Sequence, residues 1–241
     1  MNWGDKPIEI VCLKWERPPR CGLPAVCNYG SKHVNIMYRS LLRKMSKPFR
    51  FTCISDDFDG LDTGIRRLPI WDRALALGRC YNRMYCFTQE CADYMRVERF
   101  VSIDLDCVIV SDPVPLFERT EPFVMNSYNG LNPDYDPDQF YNGSMFMMEA
   151  GCREQVWTSF DKDYSPKIIE RKPKLCIGSD QAWIRLVLGK NEARWSNYDG
   201  VYEYRQVRGG LPENAKIVFF SGKRDPSTLQ HTHQWIRENW R

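Results

Sequence analysis

The 241-residue chain has no CxxC pair, which argues against a zinc ribbon or a thioredoxin-type redox site. It also lacks a secretory pattern. The opening MNWGDKPIEIVCLKW sets acids before a short apolar run and offers no small-residue cleavage site. No stretch reaches the roughly 18 apolar residues that a membrane span needs. The expected compartment is therefore the cytoplasm. A charge excess is missing too: 34 basic and 31 acidic residues leave a formal +3. Bulk electrostatics thus makes no case for nucleic acid or membrane binding. There is no internal repeat, no low-complexity tract and no interdomain linker.

What is present suits one large α/β domain with a sizeable core. Ten cysteines are scattered outside any secretory context, so buried free thiols are expected. Eight Trp, 12 Tyr and 12 Phe supply core and stacking surfaces. Short β-like runs are expected at Ile8–Leu13, Phe49–Ile54, Gly64–Pro69, Phe100–Ile103, Val108–Val110, Pro122–Asn126, Ser144–Met148 and Ile217–Phe220. Helical spacing is expected over Val34–Met45, Cys80–Tyr94, Cys152–Phe160, Asp180–Gly189 and Pro226–Trp240. Such alternation implies a Rossmann-like, mostly parallel sheet flanked by helices.

The strongest local signal is VSIDLDCVIVSDP. A strand running into Asp104-Leu105-Asp106 places two carboxylates at a strand's carboxyl end, where open α/β sheets bind ligands. Side chains two apart on extended backbone point the same way, so both can approach one hard cation. Mg²⁺ or Mn²⁺ held there can bridge nucleotide phosphates. Two exposed acids at a strand end are the plainer alternative.

The neighbouring motifs resemble glycosyltransferases of the A-type fold. They are most similar to the group of glycogenin-like and bacterial lipopolysaccharide sugar transferases, among its bacterial and phage members. SIDLDCVI matches the strand into Asp-x-Asp. YNGSMFM (Tyr141–Met147) matches an Asn-Gly strand entry. GSDQAWI (Gly178–Ile184) matches a helix opening on Asp-Gln, and FFSGKRDP (Phe219–Pro226) partly matches a His-Gly-x-x-Lys-Pro element. VCLKW and KPFRFTCISDD resemble the nucleotide-binding half.

The resemblance implies one glycosyltransferase domain over 1–241, with a nucleotide-binding half at 1–112 and an acceptor-side half at 113–241. It implies Asp104 and Asp106 as metal ligands. Lys14, Asp56, Asp57, Arg83, Gly222, Lys223 and Arg224 would contact the donor, and Asn142, Asp180 and Gln181 the reacting sugar. The donor is expected to be UDP-linked and the outcome retention. The acceptor is a glycan or, for a phage-encoded chain acting in the host cytoplasm, a modified DNA base. The loop Ser127–Asn142 and the aromatic segment Trp195–Tyr204 are candidates for acceptor contacts.

The chain departs from the family pattern in its last motif. Ser221 stands where the family has a metal-binding His, and Asp225 where it has Lys. Ser221 can still be a weak oxygen ligand, and Lys223 and Arg224 can restore positive charge. His231 and His233 are expected within the last helix and His33 before the first one, none of them as ligands. Two rival readings are a catalytically degenerate nucleotide- or glycan-binding protein and a phosphatase of the haloacid dehalogenase type. In the phosphatase, the first Asp of DLDCV would be the nucleophile.

Overall fold

The computed structural model describes residues 3–15, 29–77, 79–127, 140–170, 180–221 and 224–241. Gly222, Lys223 and most of the expected 127–142 loop lie outside the described residues.

Strand β1 (Ile8–Lys14) is followed by α1 (Ser31–Lys44), β2 (Phe49–Ser55) and β3 (Arg66–Pro69). Next come α2 (Asp72–Leu75), a 3₁₀ helix (Arg79–Phe87), α3 (Gln89–Met95), β4 (Arg99–Ile103) and β5 (Cys107–Ile109). Helix α4 (Val114–Phe117) precedes β6 (Phe123–Ser127), β7 (Tyr141–Glu149), α5 (Gln155–Thr158), α6 (Ser165–Glu170) and α7 (Asp180–Leu188). The chain ends with β8 (Ala193–Trp195), β9 (Val201–Glu203), β10 (Ile217–Phe219), α8 (Pro226–Leu229) and α9 (Gln234–Asn239). Seven strands form a sheet in the order β3-β2-β1-β4-β7-β6-β8, and three form a second sheet, β5-β10-β9. The mostly parallel α/β fold expected from the sequence is therefore present. Among the described residues no helix is long and apolar enough to cross a membrane.

The chain divides into two compact units that interleave in sequence. One comprises 2–70, 101–120 and 196–241. Within it β1 runs parallel to β2 and to β4, and β2 parallel to β3. Six of the seven residues of β1 are buried, the near-continuous apolar run of a strand covered on both faces. Helix α1 buries Val34, Met37 and Leu41 at helical spacing, and Arg43 and Lys44 meet the negative end of its dipole. His33 belongs to this helix rather than preceding it, because the helix already starts at Ser31.

The other unit comprises 71–100 and 121–195. Strands β6 and β7 pair antiparallel, and β6 and β8 parallel. Phe87, Phe123 and Phe146 pack ring against ring in its core.

Three expected helices are shorter or broken. Cys80–Tyr94 splits at Thr88, whose Oγ1 accepts from the Cys91 amide at 2.9 Å and starts α3 afresh. Cys152–Phe160 is helical only over α5. Pro226–Trp240 divides because Thr232 donates its hydroxyl to the Leu229 carbonyl and His233 turns extended, capping α9. His231 and His233 therefore lie between two helices. The sequence does not announce the short strands β8 and β9, because three residues carry too little periodicity.

Thr88 is buried, and its hydroxyl also donates to the Tyr85 carbonyl at 2.9 Å. Thr88→Ala is expected to cost about 1–2 kcal/mol in urea unfolding, and Thr88→Ser to retain most of that stability. Unchanged stability in the alanine variant would contradict the cap's role.

Candidate functional site

The first group of site residues sits at the carboxyl ends of β1, β2 and β4. Register aligns Lys14 with Ser55, so the residues after both strands emerge at one edge. Lys14, almost fully buried, donates its Nζ proton to Asp57 Oδ2 at 3.4 Å. Ser55 organises the turn: its hydroxyl donates to the Asp57 carbonyl at 2.7 Å and accepts from the Asp57 amide at 3.1 Å. The same hydroxyl lies 3.4 Å from Asp56 Oδ1. The Asp57 carboxyl is held below its ordinary value, first by the Asp59 amide and also by Lys14. Lys14, Asp56 and Asp57 are thus brought together.

Asp104 and Asp106 form the link between β4 and β5. Leu105 is buried between them and both acids are partly buried, but the chain bends at Leu105–Asp106 rather than staying extended, so the expected strand alternation does not set their directions. The Asp106 carbonyl accepts from the Phe220 amide at 2.8 Å, and its Oδ2 accepts from the Tyr29 hydroxyl at 3.3 Å. Burial first, and then the charge of Asp106 and Asp104, push the Cys107 thiol well above its ordinary range.

Strand β10 carries Ser221 to this region. It lies antiparallel to β5, with Phe219 opposite Cys107, and parallel to β9, with Phe219 opposite Glu203. Ser221 donates both its hydroxyl and its amide (3.2 Å) to Glu203 Oε1. Glu203 Oε2 accepts from the Arg205 amide at 2.8 Å. Arg224 donates to the Ser221 carbonyl at 3.3 Å. Asp225 caps α8 by accepting from the Ser227 amide at 2.7 Å, and its other oxygen lies 3.1 Å from His33 Nε2. Burial alone would raise its pKa, but the hydrogen bonds from His33 and Ser227 prevail and hold it at about 2.

The donor set here fits a hard cation, since Asp104, Asp106 and Ser221 all offer oxygen. Among the described residues no three His, Cys, Asp or Glu side chains converge on a metal position.

The second group lies in the other unit and centres on Gly143 of β7. Arg83, from the 3₁₀ helix, donates its Nη1 proton to the Gly143 carbonyl and pairs with Asp180 Oδ2 at 3.2 Å. The two side chains are 8% and 6% exposed. Gln181 Oε1 accepts from the Gly143 amide at 2.9 Å. A Cβ at Gly143 would stand 2.7 Å from Arg83 Nη1 and 3.3 Å from both Asp180 oxygens, so only glycine fits without moving them. Asn142 Oδ1 accepts from the Ser144 amide at 2.9 Å, and Ser144 Oγ accepts from Asn126 Nδ2 at 2.9 Å. Asp180 Oδ2 makes no aligned hydrogen bond among the described residues and so keeps acceptor capacity beside a cation.

Arg83, Asn142, Asp180 and Gln181 thus assemble, and Arg83 is a buried partner of Asp180 rather than a solvated helix-face cation. Of the acceptor candidates, Trp195 and Tyr204 are core residues, whereas Tyr198 is 98% exposed. Sequence reasoning missed Glu203, Tyr29 and the use of His33. The Asp225-Pro226-Ser227 run did carry a readable cap signal.

No protein-family model matches the chain, and no curated protein matches it. Solved structures do. An active-site mutant of LgtC aligns over 96% of this chain and 93% of its own, with TM-score 0.64 and 11% identity. The galactosyltransferase LgtC in complex with donor and acceptor sugar analogues aligns over 96% of both chains, with TM-score 0.62 and 11% identity. The glycosyltransferase GlyE of Streptococcus pneumoniae aligns over 92% of this chain and 56% of its own, with TM-score 0.58 and 12% identity. The chain therefore has the A-type glycosyltransferase fold that its motifs resemble.

Breaking the buried pair tests how the second group is held. Arg83→Met is expected to lose on the order of 3–5 kcal/mol, because it leaves the Asp180 charge buried alone. Adding Asp180→Leu should recover much of that loss in urea unfolding. Additive losses would show that the two are not coupled.

Proposed function

We propose that the chain transfers a sugar from a nucleoside diphosphate sugar, UDP-linked by resemblance, to a hydroxyl of an acceptor glycan. The observation that carries this reading is the Asp104-Leu105-Asp106 link at the carboxyl end of β4, in a fold that glycosyltransferases have. Asp104 and Asp106, with Ser221 as an auxiliary oxygen, would hold Mn²⁺ or Mg²⁺. When bound, such an ion neutralises charge on the departing diphosphate.

The chain's own residues supply the rest. Lys14 and Arg224 bring positive charge for phosphate oxygens, Lys223 is assigned to the same task, and Gly222 is assigned to the donor through its backbone. Asp56 and Asp57 accept hydrogen bonds from the nucleoside. Asn142, Asp180 and Gln181 orient the sugar. Arg83 pairs with the Asp180 carboxylate and fixes it in place, which suits a positioning group better than a nucleophile. Retention then follows from acceptor attack on the face the diphosphate leaves. Tyr198 offers an apolar ring face to an acceptor sugar.

A donor screen tests the reading. Thermal stabilisation and donor hydrolysis are measured with UDP-, GDP- and dTDP-sugars, with and without Mn²⁺. A metal-dependent response to the UDP-sugar is expected, and Asp106→Asn should abolish it. No response to any donor, or full activity in the variant, would overturn the proposal.

A further inference from the structure

His33 has no role in the proposed transfer, yet its surroundings tie it to the donor side of the site. It sits in the first turn of α1, a helix fixed by buried Val34 and Leu41. That helix is also tied at its far end, where Ser40 Oγ and Arg43 Nη2 each donate to the Asn239 carbonyl at 3.1 Å. The imidazole is packed edge-on by Tyr29 at 5.0 Å and Trp240 at 5.6 Å. Its Nδ1 is buried with no hydrogen-bond partner among the described residues, so Nε2 is the nitrogen that engages Asp225, at 3.1 Å. Both side chains are only 14% exposed.

This pair joins three things. Asp225 adjoins Arg224, which donates to the Ser221 carbonyl. Tyr29, which packs on His33, donates to Asp106 Oδ2. Asp225 also starts α8 through its second oxygen. A carboxylate beside a diphosphate site would oppose the ligand unless it is committed elsewhere. Here it is committed to the imidazole and to the Ser227 amide.

We propose that His33 is a positioning residue for the donor diphosphate, acting through Asp225. The pair draws the Asp225 carboxylate onto α1, which fixes Arg224 and Ser221 beside Asp106. This role rests on the sugar-transfer reading and deepens it: the position the family gives to a lysine contact is used here as a clasp.

The test is the affinity of the full chain for UDP with Mn²⁺, measured by calorimetry alongside melting temperature. His33→Ala and Asp225→Asn should each weaken UDP binding on the order of tenfold, the scale of one charge-assisted hydrogen bond. Asn can still cap Ser227, so the second variant spares α8. The double variant should bind no worse than the weaker single one, because both break one contact. His33→Gln, which can place an N–H near the Nε2 position, should restore most of the affinity. Lower melting temperatures with unchanged UDP affinity, or additive losses in the double variant, would overturn the proposal. A wild-type chain that binds no UDP with Mn²⁺ would overturn the sugar-transfer reading and this role with it. Wild-type binding matched by both single variants would overturn only the role of His33.

Discussion

The link Asp104-Leu105-Asp106 is pinned at both ends by hydrogen-bonded strands, and the donor side of the site depends on that restraint. Upstream, β4 is held by its parallel pairing with β1. Downstream, β5 is locked antiparallel to β10, and the Phe220 amide bonds to the Asp106 carbonyl itself. Leu105, buried between the two acids, sets which way the chain rolls. The main chain on both flanks positions the two acids, and the Tyr29 hydroxyl donates to Asp106 Oδ2. In the proposed transfer these acids would hold a cation in place, and the cation, not the acids, would neutralise the departing diphosphate.

The same ladder decides what happens at the altered last motif. Strand β10 delivers Ser221 between β5 and β9, where Glu203 takes up its hydroxyl and amide. Asp225 turns to His33. The two residues that differ from the family pattern are therefore both engaged in local hydrogen bonds rather than left exposed. In the proposed transfer, positive charge for the diphosphate would then fall to Lys14, Lys223 and Arg224.

Much of this was legible in the residues. Strand–helix alternation announced the α/β fold, and the apolar run before Asp104-Leu105-Asp106 announced strand β4. YNGSMFM and SDQAW pointed to Asn142, Asp180 and Gln181, which do meet around Gly143. What stayed hidden has a physical reason. Glu203 sits in a three-residue strand, too short for periodicity, and its partner Ser221 lies 18 residues on. His33 and Asp225 are 192 residues apart, so only the folded chain brings them together. Arg83 was expected to contact the donor, whereas it is buried against Asp180 and the Gly143 carbonyl. Burial of Arg83 against Asp180 is a tertiary fact that no local pattern encodes.

The central claim is that the Asp-x-Asp link holds a divalent cation with a donor diphosphate. Anomalous scattering at the manganese edge, from crystals grown with UDP and Mn²⁺, tests it most directly. One manganese peak is expected at about 2.0–2.4 Å from carboxylate oxygens of Asp104 and Asp106, with the diphosphate beside it. A peak elsewhere, or UDP bound with no metal at this link, would contradict it.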